Sequence, residues 1–262
     1  MADAYETGPG ALRTPPALTL LHDPPEPELD LVVMPFAGGG PSAFNSWVAR
    51  IRPSWRLAAV CLPGRGARFT EPFHTDSSAA AREVADAVGA LRRHGAPRPL
   101  VYFGHSLGAR LARDVAALAP PELLGVAGCS PDRVDPAEHA RLDDAALERM
   151  TRAAVRATGL ADAELLAELV ELTLPAFRAD LALYAGHRPP TTPLACDVVA
   201  YYGERDEVPA RPWTRHTTGR ATVVRLPGDH YVVQRAPGPL VTDLGRRLDA
   251  VRSATSRSAV ER

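Results

Sequence analysis

Leu100-Val101-Tyr102-Phe103-Gly104-His105-Ser106-Leu107-Gly108-Ala109-Arg110-Leu111 is an apolar run, a tight glycine-flanked turn and the first turn of a helix. The four apolar residues read as a buried strand, and Leu107, Leu111 and Val115 repeat at helical spacing. Gly104 and Gly108 stand two residues either side of Ser106. A serine in a sharp strand-to-helix turn needs small residues at those places, because side chains there would strike the neighbouring chain. Such a turn lifts the Ser106 hydroxyl above the sheet edge. It also aims the Leu107 N–H and the helix N-terminus at any negative charge that develops nearby.

Around this centre the pattern repeats. Short apolar runs recur at Leu31–Met34, Leu57–Leu62, Leu124–Cys129, Val198–Tyr202 and Ala221–Leu226, each bounded by Gly, Pro or charge. Continuous rather than alternating apolarity predicts strands buried on both faces. Helical spacing falls between them, at Val84, Val88 and Leu91 with Asp76 or Ser77 as cap, and at Leu240, Leu244 and Leu248. Strands alternating with helices predict an α/β chain with a mostly parallel sheet. The core is read as 29–130 and 194–252. Residues 1–28 are rich in Pro and acidic residues and read as an extended arm, with Ala17–Leu21 as a short edge strand. Residues 131–193 are too long for an ordinary connection and carry helical spacing, at Leu147, Met150 and Ala154 and at Leu165, Leu169 and Leu172. Pro175 reads as the first-turn proline of a third helix bearing Phe177, Leu181 and Tyr184. A helical insertion on such a core is a candidate lid, or else ordinary packing helices. The polar tail 253–262 is expected to fray.

Composition narrows the field. The chain has 262 residues and a formal net charge of −1, which argues against a nucleic-acid binder. No apolar run reaches the roughly 18 residues of a membrane span. The N-terminus has neither a basic nor an apolar leader segment, so a cytoplasmic protein is expected. Cys61, Cys129 and Cys196 lie far apart with no metal-binding spacing and read as buried thiols. All 30 basic residues are Arg, while Ile and Asn occur once each. Residues with A/T-rich codons are the rare ones, so the arginine excess by itself carries no functional weight.

A serine hydroxyl needs a base, and the base an orienting acid. With this turn the chain order is serine, acid, histidine. Of the late histidines, His187, His216 and His230, the last follows the final strand run directly, in Leu226-Pro227-Gly228-Asp229-His230-Tyr231. His216 lies in a polar stretch and reads as solvated. His105 is expected to line the site rather than act as base. Asp206 follows the preceding strand in Gly203-Glu204-Arg205-Asp206. Asp132, after the strand next to the elbow, is a rival acid; Asp206 is favoured for its cleaner strand-end setting. The loop Met34-Pro35-Phe36-Ala37-Gly38-Gly39-Gly40 offers the Ala37 N–H as a second oxyanion donor beside that of Leu107. Its glycines lack the spacing of a phosphate-binding loop.

Together these segments resemble the type II thioesterases of polyketide and nonribosomal peptide biosynthesis, a branch of the α/β-hydrolases. The resemblance runs from Leu31 to about Val233. It includes Pro35–Gly39, Leu62-Pro63-Gly64-Arg65-Gly66 with Glu71-Pro72, Gly104–Gly108, Leu174–Asp180, Gly203–Asp206 and Pro227–His230. It implies an α/β-hydrolase core with a helical lid over a chamber for phosphopantetheine-linked acyl groups. It further implies a catalytic set of Ser106, Asp206 and His230, with Phe36, Gly38, His105 and Tyr231 at the substrate. No metal or redox cofactor is implied, since the substrate carries the phosphopantetheine. The implied partner is an acyl or peptidyl carrier protein, and a monomer is expected, with no nucleic acid or membrane partner. Arg65, Arg68 and Arg188 are candidates for a basic face toward an acidic carrier. Two departures stand out: Phe36 replaces the family's usual histidine, and Gly228-Asp229-His230-Tyr231 replaces Gly-Gly-His followed by Phe. The implied role is editing of stalled acyl chains. Chain release, acyl transfer and a catalytically silent carrier-binding role are the alternatives.

Overall fold

The computed structural model describes residues 15–93, 96–131, 142–185, 187–208 and 213–260, with side chains described to residue 253. Seven strands among them form one sheet in the order β1-β3-β2-β4-β5-β6-β7. These are β1 (Leu18–His22), β2 (Leu29–Met34), β3 (Trp55–Val60), β4 (Leu100–His105), β5 (Leu123–Ala127), β6 (Asp197–Gly203) and β7 (Ala221–Leu226). Only β1 runs antiparallel, on the outer edge of β3.

The helices cover both faces. α1 (Asn45–Val48) and α7 (Pro237–Val260) lie on one side, and α2 (Ser77–Arg92) and α3 (Leu107–Leu118) on the other. Neighbouring residues of one strand feed opposite cores. Val32 and Met34 pack with α2 and α3, whereas Leu31 and Val33 pack with Trp47 and Leu244. This double burial is why β2 to β5 are mostly apolar, with Asp30 and Arg56 paired to each other near the strand starts. β7 differs from expectation. It is the far edge strand, alternating in exposure, with Val223 42% exposed. With a partner strand on one side only, its run cannot be covered throughout. α6 (Val232–Arg235) is a short turn before α7.

The connection from β2 to β3 leaves in one direction, and the chain then returns past β2 to lay down β4. Adjacent strands whose connections diverge leave a crevice at their carboxyl ends. The glycine loop after β2 and the Ser106 turn after β4 both open onto it.

Between β5 and β6 the chain inserts α4 (Asp144–Ala157) and α5 (Ala163–Tyr184), each capped by an aspartate accepting a backbone N–H, Asp143 and Asp162. The pair has a small core of its own, Val155, Leu166 and Val170. Pro175 does not open a third helix; it lies inside α5. A mid-helix proline forfeits one hydrogen bond and costs about 3 kcal/mol. Burial of Leu166 and Val170 before it, and of Ala176 and Phe177 after it, holds one continuous helix. α7 continues to Val260, through a segment with no glycine or proline to stop it.

No helix among the described residues is long and apolar enough to cross a membrane. Cys61, Cys129 and Cys196 are buried and unpaired, and burial raises the Cys129 thiol pKa.

Candidate active site

Ser106 is the only described non-glycine residue in the left-handed region, at φ 55° and ψ −119°. Such backbone costs on the order of 1–3 kcal/mol and persists only where its surroundings enforce it. The surroundings are visible. Ser106 N–H donates to the Ala127 carbonyl at 2.8 Å. A Cβ on Gly104 would sit 2.2 Å from the Gly108 carbonyl oxygen, and one on Gly108 would sit 2.2 Å from that of Met34. Both flanking glycines are therefore obligatory. The second lets α3 start directly against the end of β2.

The histidine and aspartate come from the next strand ends along the sheet. His230 Nδ1 lies 3.0 Å from Asp206 Oδ1 and 3.2 Å from Oδ2. A nitrogen facing a carboxylate carries the proton, so Nε2 keeps a lone pair free to accept one. Asp206 has a side chain only 1% exposed and also accepts the Val208 N–H. The two loops are stitched together, Glu204 N–H to the Leu226 carbonyl and Arg205 N–H to that of Gly228. A Cβ on Gly203 would meet the Asp229 carbonyl oxygen at 2.3 Å, which accounts for the glycine before Asp206. The rival acid, Asp132, lies outside the described residues.

Two supports have no local sequence signal. Gly128 follows β5 at φ 57°, and a Cβ there would sit 2.7 Å from His230 Cε1 and 3.2 Å from Asp206 Oδ2. The imidazole–carboxylate pair thus lies over a bare backbone, one residue after the Ala127 carbonyl that holds Ser106. Tyr202 pins this backbone by donating to the Cys129 carbonyl at 2.6 Å. The other support is His105. Rather than lining the substrate site, it is fully buried beneath His230, ring centroids 4.8 Å apart. Its Nε2 faces the His230 carbonyl at 2.8 Å, an acceptor, and so carries the proton. Its Nδ1 accepts from Gln234 Nε2 at 3.0 Å. Burial first, and the nearby His230 second, push the His105 pKa well below the ordinary histidine value. It is a neutral strut for the His230 backbone.

Phe36 and Tyr231 stack edge-on, 5.7 Å apart, and each meets the His105 ring. Burial raises the Tyr231 hydroxyl pKa to about 12. Asp229, one of the two departures, turns away from the site. Its carboxylate accepts the Tyr231 N–H and pairs with Arg235. Partial burial opposes ionisation there, but these contacts outweigh it and lower the pKa.

The glycine loop after β2 forms a turn, Gly39 N–H donating to the Phe36 carbonyl at 2.9 Å with Gly38 at φ 71°. Between this loop and the inserted helices lies a cavity of about 140 Å³, lined by Phe36, Gly38, Ala154, Val155, Leu169 and Thr173. A larger cleft of about 700 Å³ runs between α2, α3 and the end of α5. No expected catalytic residue lines it; the exposed Arg188 does.

The other two arginines expected on a basic face are not there. Arg65 is 7% exposed and forks onto Asp180 of α5, and Arg68 is 6% exposed and binds Glu71 and Glu83. A guanidinium with partnered donors is one of the few cations that burial tolerates. His216, expected in solvent, is half-buried against Trp213, with Nδ1 3.2 Å from Arg113 Nη2. His187 is held by Asp114 at 2.8 Å. No group of three or more His, Cys, Asp or Glu among the described residues could hold a metal ion.

A strained serine between strand and helix, with a histidine–aspartate pair on later strand ends of a parallel sheet, defines the α/β-hydrolases, in their serine hydrolase form. Comparison with known proteins narrows the class. Residues 30–244 match the thioesterase domain family, to which this chain belongs. PikA5, a thioesterase of Streptomyces venezuelae, is 31% identical over 261 residues, covering 92% of this chain and 88% of PikA5. The AMB antimetabolite synthetase AmbE of Pseudomonas aeruginosa is 33% identical over 237 residues, 85% of this chain but 11% of that much longer protein. The structure of RedJ, a thioesterase from the prodiginine pathway of Streptomyces coelicolor, superposes with a TM-score of 0.71 at 33% identity, over 86% of this chain and 89% of RedJ. The expected relationship to type II thioesterases of polyketide and nonribosomal peptide pathways holds, and the chain is a serine hydrolase acting on thioesters.

Proposed function

We propose that the enzyme hydrolyses acyl groups from the phosphopantetheine arms of acyl or peptidyl carrier proteins, as an editing activity of a biosynthetic assembly line. The observation that carries the chemistry is the His230–Asp206 pair lying over Gly128, beside the strained turn that raises Ser106. His230 Nε2 takes the Ser106 proton, and the oxygen attacks the thioester carbonyl. The Ala37 and Leu107 N–H groups receive the oxyanion. His230 then protonates the departing thiolate. In the second half it activates water against the acyl-serine, and the free acid leaves. Asp206 holds the tautomer and stabilises the imidazolium.

The cavity of about 140 Å³ beside Gly38, with Phe36 in its wall, supports short acyl chains. This chemistry calls on no metal or cofactor of the enzyme's own. We further propose a monomer working in the cytoplasm.

Intact-mass spectrometry of acyl-loaded carrier proteins, incubated with wild type and with Ser106→Ala, tests the proposal. The expected result is holo carrier plus free acid from wild type, and unchanged acyl carrier with the variant. Acyl carriers that survive wild type, or acyl groups that leave on another acceptor, would overturn it.

A further inference from the structure

We propose that Asp180, on the inserted helix α5, is a positioning residue that sets the oxyanion-binding turn, and that Arg65 permits this by cancelling its charge. The proposal rests on the assignment of the Ala37 N–H as an oxyanion donor made above.

The contacts converge from three parts of the chain. Gly38 N–H donates to Asp180 Oδ2 at 2.7 Å, across 142 residues. That N–H belongs to the middle peptide of the Phe36–Gly39 turn, next along from the peptide that carries the Ala37 N–H. Rotation of a middle peptide is what separates the two common turn types, and a left-handed second residue selects one of them. Asp180 holds the peptide in the rotation that Gly38 allows. The helix also presses on the turn. A Cβ on Gly38 would lie 3.0 Å from Phe177 Cβ and 3.0 Å from Thr173 Cγ2.

A carboxylate this close to a developing oxyanion would oppose it unless neutralised. Arg65 Nη1 and Nη2 grip Asp180 Oδ2 and Oδ1 at 2.6 and 2.7 Å, and Nη1 also reaches the Gly39 carbonyl at 3.2 Å. The arginine and aspartate side chains are 8% and 4% exposed. A forked pair of this kind fixes geometry as well as charge. One cluster therefore fastens the inserted helix, the loop after β3 and the oxyanion turn together. The oxyanion site is complete only while α5 is seated, because withdrawing the helix removes the group that holds the turn.

Two variants test this. Asp180→Asn keeps an acceptor for Gly38 but breaks the forked ion pair. Arg65→Met with Asp180→Leu removes both partners, so that no buried charge is left unpaired. Each is measured for melting temperature, for kcat and KM on an acyl-pantetheine thioester, and for binding of two ligands. One is a boronic acid, which forms a tetrahedral anion on Ser106. The other is a thioether analogue with a methylene in place of the carbonyl. The double variant is expected to stay folded and lose about 10²-fold in kcat, in line with loss of an oxyanion donor. It should lose boronate affinity in parallel and bind the thioether within about twofold of wild type. Asp180→Asn should shift in the same direction by less. Boronate affinity and kcat that stay at wild-type levels would overturn the proposal. So would equal losses of boronate and thioether binding, the mark of a merely structural role. Should the double variant not fold, Asp180→Asn decides on the same two ligands. If wild type itself neither hydrolyses the thioester nor binds the boronate, the reading of the site fails, a result distinct from failure of the Asp180 role.

Discussion

The two sides of Ser106 are braced by different parts of the molecule. On the histidine side every support belongs to the α/β core. Asp206 follows β6, Gly128 follows β5, His105 ends β4, and Gln234 lies in the short helix α6. On the oxyanion side the turn after β2 is held by the inserted helix α5 through Asp180, Phe177 and Thr173. The contrast separates fixed chemistry from adjustable chemistry. On the proposed assignment, the proton-transfer groups are held by the sheet edge alone, while the oxyanion turn is held by the insertion.

Changes on the histidine side should then act at full strength under all conditions. The largest effect is expected from Asp206→Asn, a loss of about 10³–10⁴ in kcat with the fold retained, since the imidazole loses its tautomer and its counter-charge. Steady-state kinetics beside a circular dichroism spectrum checks this. An undiminished rate would point to Asp132 as the acid.

Gly128→Ala comes next. The new methyl would sit 2.7 Å from His230 Cε1 on left-handed backbone, so the ring must move. A displacement near 1 Å predicts a fall in kcat of about 10²-fold. A thermal melt should show a loss of roughly 1–3 kcal/mol for the strained backbone. A rate loss without lowered stability would show that the ring, rather than the backbone, absorbs the clash.

Gln234→Leu should be milder. It leaves His105 Nδ1 without its donor in a buried place and is expected to cost about 1–3 kcal/mol in urea unfolding. The smallest effect is in pH dependence. Burial holds His105 neutral in the folded state, its pKa well below the ordinary value. Below about pH 6.5 the unfolded chain takes up a proton that the folded chain refuses, so stability falls as pH falls. His105→Gln retains a donor toward the His230 carbonyl but cannot titrate. Its stability should decline less steeply on the acid side than that of wild type, and parallel slopes would contradict the neutral-strut role.

The parts legible in the sequence were those written in contiguous patterns. A strand, Gly104-His105-Ser106-Leu107-Gly108 and a helix occupy one short segment, and chain order then pointed to Asp206 and His230. What escaped were contacts between residues far apart in the chain. Gly128 shows only as a glycine near a strand end until the His230 ring lies on it. Arg65 resembles any exposed arginine until Asp180, 115 residues later, turns it inward. The covering of Pro175 within α5 depends on helix packing, which the spacing of apolar residues does not reveal.

In the proposed function a single nucleophile, Ser106, carries the hydrolysis of carrier-bound thioesters. A serine-directed fluorophosphonate, titrated against the enzyme with peptide mapping and residual acyl-carrier hydrolysis read on the same samples, tests it most directly. The expected result is one label per chain on the peptide holding Ser106, with activity falling in proportion to labelling. Label on another residue, or a fully labelled enzyme that still releases free acid, would contradict it.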